Sequence, residues 1–547
     1  MEYILAHPES LLPHPSGTPI LSILTYLPLL GALIIALALP RHERKAIKGV
    51  ATVVTVLNFV LSLVMLRNFQ AGTHLMQMVE YAEWIPSLGV SYFFGVDGIS
   101  ILLVLLTTLL SVIVVVCSYS QVEENEKAYY ACLLFLETGM LGVFMALDFF
   151  LFYIFWEIML VPMYFLIGIW GHGRKLYSAI KFFLYTLFGS VFMLLGILAL
   201  YFLNGNPDYG TGKLTFNILE LINNLQVPTA PVFIGLSAQS LIFLGLFLGF
   251  AIKVPMFPFH TWLPDAHTDA PTAGSVILAG VLLKMGTYGF VRFSLPLVPV
   301  ASQEMVGFVG LLAVIGILYG ALVAMAQHDM KRLIAYSSVS HMGFLMLGIF
   351  ALNAEGVSGG ILQMINHGIT TGALFLMVGM LYERRHTREI ALFKGLATTV
   401  PVFAVFFGIT MFSSIGLPGL NGFVGEFLIL VGMFNTSVTY ATFAVLGIVL
   451  GAAYMLWLFQ RTMFGTPEEA DHMRDMNYRE IGYLLPLIIL MFWIGLYPRP
   501  YLNLMQPTVN HYVSKMQERQ KAAQAEAERV EVIRQARTAP SDHTGGR

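Results

Sequence analysis

Acids and bases recur, one to a segment, inside stretches that are otherwise apolar. Glu137 lies in FLETGM, Glu157 in FWEIML, Lys253 in FAIKVP, Lys284 in LLKMGT, His341 in VSHMGF, His367 in INHGIT and Glu426 in FVGEFL. An ionisable group at the centre of a bilayer costs about 2.5–3.5 kcal/mol on insertion scales. Carboxylate, amine and imidazole each hold and release a proton, so in a row they make a path for protons or another small cation. Lysine suits such a path, because burial disfavours its charge and a nearby carboxylate restores it. Moving Glu157 relative to Lys253 would switch the lysine between holding a proton and giving it up. Imidazole relays through two ring nitrogens near neutral pH. The bland alternative is a set of ion pairs that only fasten helices. One Glu–Lys pair fits it, but glue in membranes is mostly Ser, Thr and small residues. His260, at the inner end of a broken segment, reads more readily as a capping or hydrogen-bonding group than as a relay, and completes the candidates.

Other chemistries are poorly provided for. Two cysteines, Cys117 and Cys132, are too few for an iron–sulfur cluster, which takes about four thiolates. Membrane haem needs His pairs on facing helices, and His328 and His341 have no matching pair. The stretch YGTGKLT over 209–215 lacks the spacing of a phosphate loop. Asp265, His267 and Asp269 in HTWLPDAHTDAP could suggest a metal, but the prolines and an exposed loop point to solvated residues, and no metal is expected. The 28 methionines read as apolar filler. A net charge of -2 argues against nucleic acid.

The elements that must carry these groups follow from composition. Of 547 residues, 57% are apolar and 11% charged, against roughly 25% charged in soluble domains. Mean hydropathy is +0.74. Such a chain is an all-α polytopic membrane protein. About 20 apolar residues cross a bilayer as a helix, which gives about 14 spans, near 21–39, 49–66, 99–119, 129–147, 149–168, 178–203, 240–266, 271–292, 305–326, 331–352, 357–381, 399–433, 441–462 and 480–497. No cleavable signal peptide is expected, because the first apolar run is long and no basic region precedes it. Residues 1–20 form a short outer segment without Lys or Arg. Arg41, Arg44, Lys45, Lys48, Lys127, Arg174, Lys175, Lys331, Arg332, Arg384, Arg385, Arg388, Lys394, Arg474 and Arg479 fall in alternate loops, which therefore face inward. Both termini then face outward. The charged 501–547 tail breaks this rule locally and reads as a short solvated helix or a disordered peptide.

Two spans should break. The seventh contains Pro255 and Pro258, and the twelfth contains Gly416, Pro418, Gly419 and Gly422. Proline removes a helical hydrogen bond and clashes with the preceding turn. A broken helix survives at this depth only inside protein or against a wet cavity, and paired breaks in two halves point to transporter sites. The breaks lie five spans apart, an odd number, so two five-helix repeats, about 129–292 and 305–462, must be inverted. Two half-paths would meet at Lys284 and His367. Within the membrane domain of 21–500, Lys253 and Glu426 stand beside the breaks.

The stretches FWEIMLVPMYFLIGIWG, AIKVPMFPFHTWLPDAHTDAPTAGSVILAG, KRLIAYSSVSHMGF, QMINHG and GLPGLNGFVGEF resemble the antiporter-like subunits of respiratory complex I. The resemblance covers nearly all of residues 20–500. It implies fourteen helices, two inverted five-helix repeats, and broken helices seven and twelve. It also implies Glu157 paired with Lys253, Lys284 at the centre, the histidines His341 and His367, and Glu426 at the outward end. In the sister L and N types the Glu426 position is typically lysine, and the tail is too short for the long lateral helix of the L type. The implied activity is outward proton pumping in a bacterial plasma membrane. NADH, FMN, Fe–S clusters and quinone would sit in partner subunits, with L- and N-type and small membrane subunits alongside, and this chain would carry no cofactor. Subunits of sodium/proton (Mrp-type) antiporters are similar over the same region and give the alternative function.

Overall fold

The computed structural model describes residues 11–12, 17–467 and 473–538. Each of the fourteen apolar segments falls on helix. The helices are α1 (Ile20–Ala38), α2 (Arg44–Asn68), α3 (Ser100–Cys117), α4 (Glu126–Met145), α5 (Phe149–Trp170) and α6 (Lys175–Asn204). There follow α7a (Ala238–Lys253) and α7b (Trp262–Asp269), then α8 (Thr272–Leu297), α9 (Val306–Met325), α10 (Met330–Ile349) and α11 (Ala354–Arg385). The chain continues through α12a (Pro401–Ser414), α12b (Asn421–Thr436), α13 (Val438–Met463), α14 (Tyr478–Leu496) and α15 (Arg499–Thr538). Eleven of the helices are individually long and apolar enough to cross a membrane. The seventh and twelfth segments are broken where proline and glycine predicted it.

Burial separates the helices by role. The apolar windows of α8 and α11 are buried along their whole length, whereas those of α2 and α13 are about one-third or less buried. A helix sealed on every side belongs at the centre of a bundle. The two approach closely through Gly280 and Gly368, where a Cβ on Gly368 would meet the Gly280 carbonyl oxygen at 2.9 Å. Two wide π turns, Leu278–Leu282 and Phe290–Ser294, interrupt α8. Such turns loosen the backbone ladder and cluster at functional positions.

Two features escaped the sequence. Residues between α2 and α3 form an antiparallel hairpin of β2 (Met76–Ile85) and β3 (Val90–Val96), with β1 (Leu11–Leu12) parallel to the start of β2. Asp148 ties this sheet to α5, accepting from Ser91 N at 2.9 Å and capping the helix through Phe150 N and Leu151 N. The tail is the second. Its first half is neither solvated nor disordered, because α15 packs Met505, Val509 and Met516 into the core. Arg519 donates to the Pro296 carbonyl at 2.9 Å, and the His511 ring stacks on His74 at 3.9 Å.

The tail helix is held by a buried ion pair. Arg292 donates to Asp97 through both Nη atoms, at 2.7 and 2.6 Å, with the two side chains 1% and 0% exposed. Its remaining N–H groups reach Ser100 Oγ, the Tyr288 hydroxyl and the Tyr512 hydroxyl of α15. All five guanidinium donors are used. Breaking a buried pair costs about 3–5 kcal/mol because the other charge is stranded, whereas losing one hydrogen bond to a charge costs about 1.5–3 kcal/mol. Arg292→Met is therefore expected to lower the melting temperature of the purified assembly well below that of Tyr512→Phe. Equal shifts would mean the pair is not what holds α3, α8 and α15 together.

Candidate functional site

The site begins where two helices lose their regular bonding. Glu157 stands in the last turn of Phe149–Ile158, just before the irregularity at Met159 within α5, and Lys253 is the last residue of α7a. The break after Lys253 frees backbone carbonyls, and the indole of Trp262 takes that of Ile252 at 2.8 Å. Lys253 is 1% exposed. Its ammonium lies 5.3 Å from the Trp156 ring centre and 5.7 Å from that of Phe182, with Met159 Sδ at 3.7 Å. Cation–π attraction of this kind is strongest when desolvated. The Tyr153 and Ser190 hydroxyls lie near Glu157, whose Oε1 is buried without a hydrogen-bond partner. The two are neighbours, and their charged atoms form no ion pair within 4.0 Å.

The centre is tighter. Lys284 Nζ lies 2.7 Å from His367 Nδ1, and it also donates to the Ala279 carbonyl, which belongs to the first π turn of α8. Beyond His367 the row continues. The His367 and His341 rings meet edge to face at 5.8 Å, and His341 Nδ1 lies 3.3 Å from Glu426 Oε1. Gln363 Nε2 donates to the same carboxylate oxygen at 3.3 Å. His367 Nε2 has no partner. A cavity of about 10 Å³ is lined by His341, Asn366, His367, Thr370 and Ser414, about the space one water needs.

The α12 break is built to receive Glu426. Gly416 adopts φ +75°, and a Cβ there would stand 2.7 Å from Glu426 Oε2. Asn421 closes the break: Asn366 Nδ2 donates to its backbone carbonyl at 2.7 Å, and Ser413 Oγ donates to its side chain. Thr370 and Ser413 share a hydrogen bond of 2.8 Å. Gln363, Asn366, Thr370 and Asn421 were missed in the sequence. Their signal was there, because Gln363, Asn366, His367 and Thr370 recur at helical spacing along an apolar helix.

Three groups stand apart from this row. Glu137 accepts from Asn58 Nδ2 at 2.8 Å, and its Oε2 has no partner. His260 packs between Phe257 and Tyr319, and its Nδ1 is unpartnered. His267 corrects the expectation of a solvated loop. It lies on α7b, fully buried, stacked on Phe375 at 4.8 Å, with no hydrogen bond at either nitrogen. Asp265 of the same helix pairs with Lys181 at 2.7 Å. Among the described residues no group of three His, Cys, Asp or Glu could hold a metal. No hydrogen bond joins Lys253 to Lys284; Phe250 and Val254 of the α7 region pack against Gly286 of α8, and the Phe250 ring against Gly289.

The sequence pattern of a family described as NADH:quinone oxidoreductase/Mrp antiporter, transmembrane, matches residues 146–451. One described as NADH-ubiquinone oxidoreductase chain 4, amino terminus, matches residues 25–145. NADH-quinone oxidoreductase subunit M of Rhodobacter capsulatus is 47% identical over 506 residues, covering 90% of this chain and 96% of that protein. The corresponding subunit of Rickettsia typhi is 46% identical, covering 91% and 99%. A chain in respiratory complex I from Thermus thermophilus superposes with TM-score 0.81 at 32% identity, covering 91% of this chain and 99% of that one. A chain of the Mrp complex from a Dietzia species gives 0.77 at 22% identity, covering 91% of this chain and 99% of that one.

Because Lys253 has no ion pair among the described residues, Lys253→Met is expected to leave the melting temperature of the assembly unchanged or raised. Apolar replacement of buried charge is commonly neutral or stabilising. A marked drop, measured by thermal unfolding, would make Lys253 a structural clamp.

Proposed function

The chain belongs to the NADH:quinone oxidoreductase/Mrp antiporter family, and on that premise we propose that it is the subunit-M-type proton-translocating membrane subunit of an NADH:quinone oxidoreductase. Electrons pass from NADH to quinone in partner subunits, through their FMN and Fe–S clusters. Here protons move outward. The observation that carries this is the row from Lys284 through His367 and His341 to Glu426, four buried side chains of which the first two lie on the helices whose apolar windows are buried throughout.

The steps follow the atoms. A proton on Lys284 Nζ passes to His367 Nδ1 across 2.7 Å. His367 releases a proton from Nε2, and one water in the small cavity carries it to His341, whose Nδ1 delivers it to Glu426. Glu426 sits at the α12 break, which opens outward. Glu157 biases Lys253, and the charge of Lys253 in turn drives Lys284. Moving one charge against 100 mV costs about 2.3 kcal/mol, so the stroke draws on the redox reaction of the partners. Fourteen membrane spans, α4–α8 and α9–α13 as inverted repeats, Lys/Arg-rich loops inside and both termini outside complete the assignment. Glu137 and His260 serve as side branches toward the inner face.

Sodium/proton exchange is the weaker alternative. A likeness at 22% identity carries fold alone, and the central relay offers nitrogens where a hard cation such as Na⁺ seeks oxygen ligands.

The test is the complex reconstituted in proteoliposomes, reading NADH oxidation and proton uptake together. Lys284→Ala and His367→Ala are expected to assemble at wild-type levels and to lose most proton transfer, tenfold or more. Normal proton yield, or loss of the chain from the complex, would leave a scaffold in place of a pump. In the same vesicles, replacing Na⁺ by K⁺ is expected to leave proton uptake unchanged, and dependence on Na⁺ would favour exchange.

A further inference from the structure

A second built cleft lies at the Lys/Arg-rich helix ends, away from the proton row. It has a volume of about 370 Å³ and lies between the end of α1, the start of α2 and the first turn of α4. Clefts of this size hold small ligands or headgroups. Its walls carry both signs of charge. Arg41, Arg44 and Lys127 supply cations, while Glu123 and Glu126 supply carboxylates. Its floor is cut back to small side chains, Ala36, Ala128 and Ala131.

The charges are unequally satisfied. Lys127 Nζ donates to the Leu39 carbonyl at 2.7 Å. Glu126 is 5% exposed. Its Oε1 meets Lys48 at 3.1 Å and Arg44 at 3.8 Å, but its Oε2 is buried and accepts no hydrogen bond. Arg41 makes no hydrogen bond or ion pair among the described residues. One buried carboxylate oxygen therefore lacks a donor, and one guanidinium lacks an anion, across a single cleft. The first turn of α4 opens there as well, and the free N–H groups of a helix start add to the pull on a phosphate.

We propose that this cleft binds the headgroup of a zwitterionic aminophospholipid, with the phosphate on Arg41 and Arg44 and the primary ammonium on Glu126. Position and chemistry both select it. The cleft lies where helices of bilayer length end, at headgroup depth. Next to it α1 widens into a π turn, Ile34–Ala38, whose Ile34 and Leu37 are 39% and 81% exposed. These side chains face acyl chains. Purely basic pockets between helices favour anionic lipids, but here Glu123 and Glu126 oppose a second negative charge. A choline headgroup has no N–H to give to Glu126 Oε2, whereas ethanolamine has three.

The experiment uses the assembled complex, washed in detergent and then exposed to vesicles of phosphatidylethanolamine, phosphatidylcholine or phosphatidylglycerol, with bound lipid read by native mass spectrometry. Phosphatidylethanolamine is expected to be retained by this subunit at least fivefold over the other two. Arg41→Ala, which breaks no contact within the chain, and Glu126→Gln, which keeps the shape, are each expected to abolish that preference. Free phosphoethanolamine at equal concentration is expected not to bind. Equal retention of the three lipids, an unchanged preference in both variants, or binding of the free headgroup would overturn the proposal. So would occupation of the cleft by a side chain of a neighbouring subunit.

Discussion

A bilayer offers no partner to a charge or to an open backbone group. Both must therefore be enclosed by protein, and the architecture is organised by that demand. Lys284 and His367 are found on the two helices whose apolar windows are buried throughout, and they touch each other. Neither helix could present such a group to lipid without the insertion cost of an exposed charge. The surrounding helices, whose apolar windows are only partly buried, are the sleeve that makes the central contact affordable. The glycines at the α8–α11 crossing bring the two backbones near enough for a short lysine–imidazole contact.

The helix breaks obey the same rule. Each leaves carbonyls and amides without helical partners, and each is repaired by a side chain, from the far half of the same segment in the first and from α11 in the second. Trp262 takes the Ile252 carbonyl in the first, while Asn366 takes the Asn421 carbonyl in the second. The repairs differ in kind. The first is an indole among aromatic rings. The second is a lattice of amides and hydroxyls, and it shares its residues with the proton row. Polarity around the α12 break is thus part of the path, whereas the α7 break holds an isolated ammonium over Trp156 and Phe182.

The spans and both breaks were legible in the sequence because hydropathy and proline chemistry act locally. The row of acids and bases was legible because charge in an apolar run is costly wherever it occurs. What the sequence hid depends on neighbours far along the chain. The β2–β3 hairpin was not read from the sequence, since its pairing is settled between strands. The tail helix looked solvated, since its charged composition concealed Met505, Val509 and Met516 on one face. His267 looked exposed for a similar reason: its aspartate neighbours are polar, but on α7b they face another side. The Glu157–Lys253 relation was inferred from charge and from the family resemblance; the aromatic rings and thioether that also surround the lysine were not legible.

That last difference bears on how the proposed pump would avoid leaking. A row in contact from one membrane face to the other would conduct protons back down the gradient as readily as it moved them out. Here the row runs from Lys284 to His367, across an edge-to-face ring contact to His341 and on to Glu426, whereas no hydrogen bond joins Lys284 to Lys253. A gap on one side of Lys284 with a connected row on the other is the resting arrangement that the proposed pump needs. Opening the gap requires water or motion beside Lys253, at a helix that is already broken and beside a Glu157 that is not yet in contact. The broken α7 and the irregular α5 are the two elements whose backbones can shift there without severing a continuous helix. In the proposed pump, energy from outside the chain would act at these two elements, separate from the buried lysine–histidine contact.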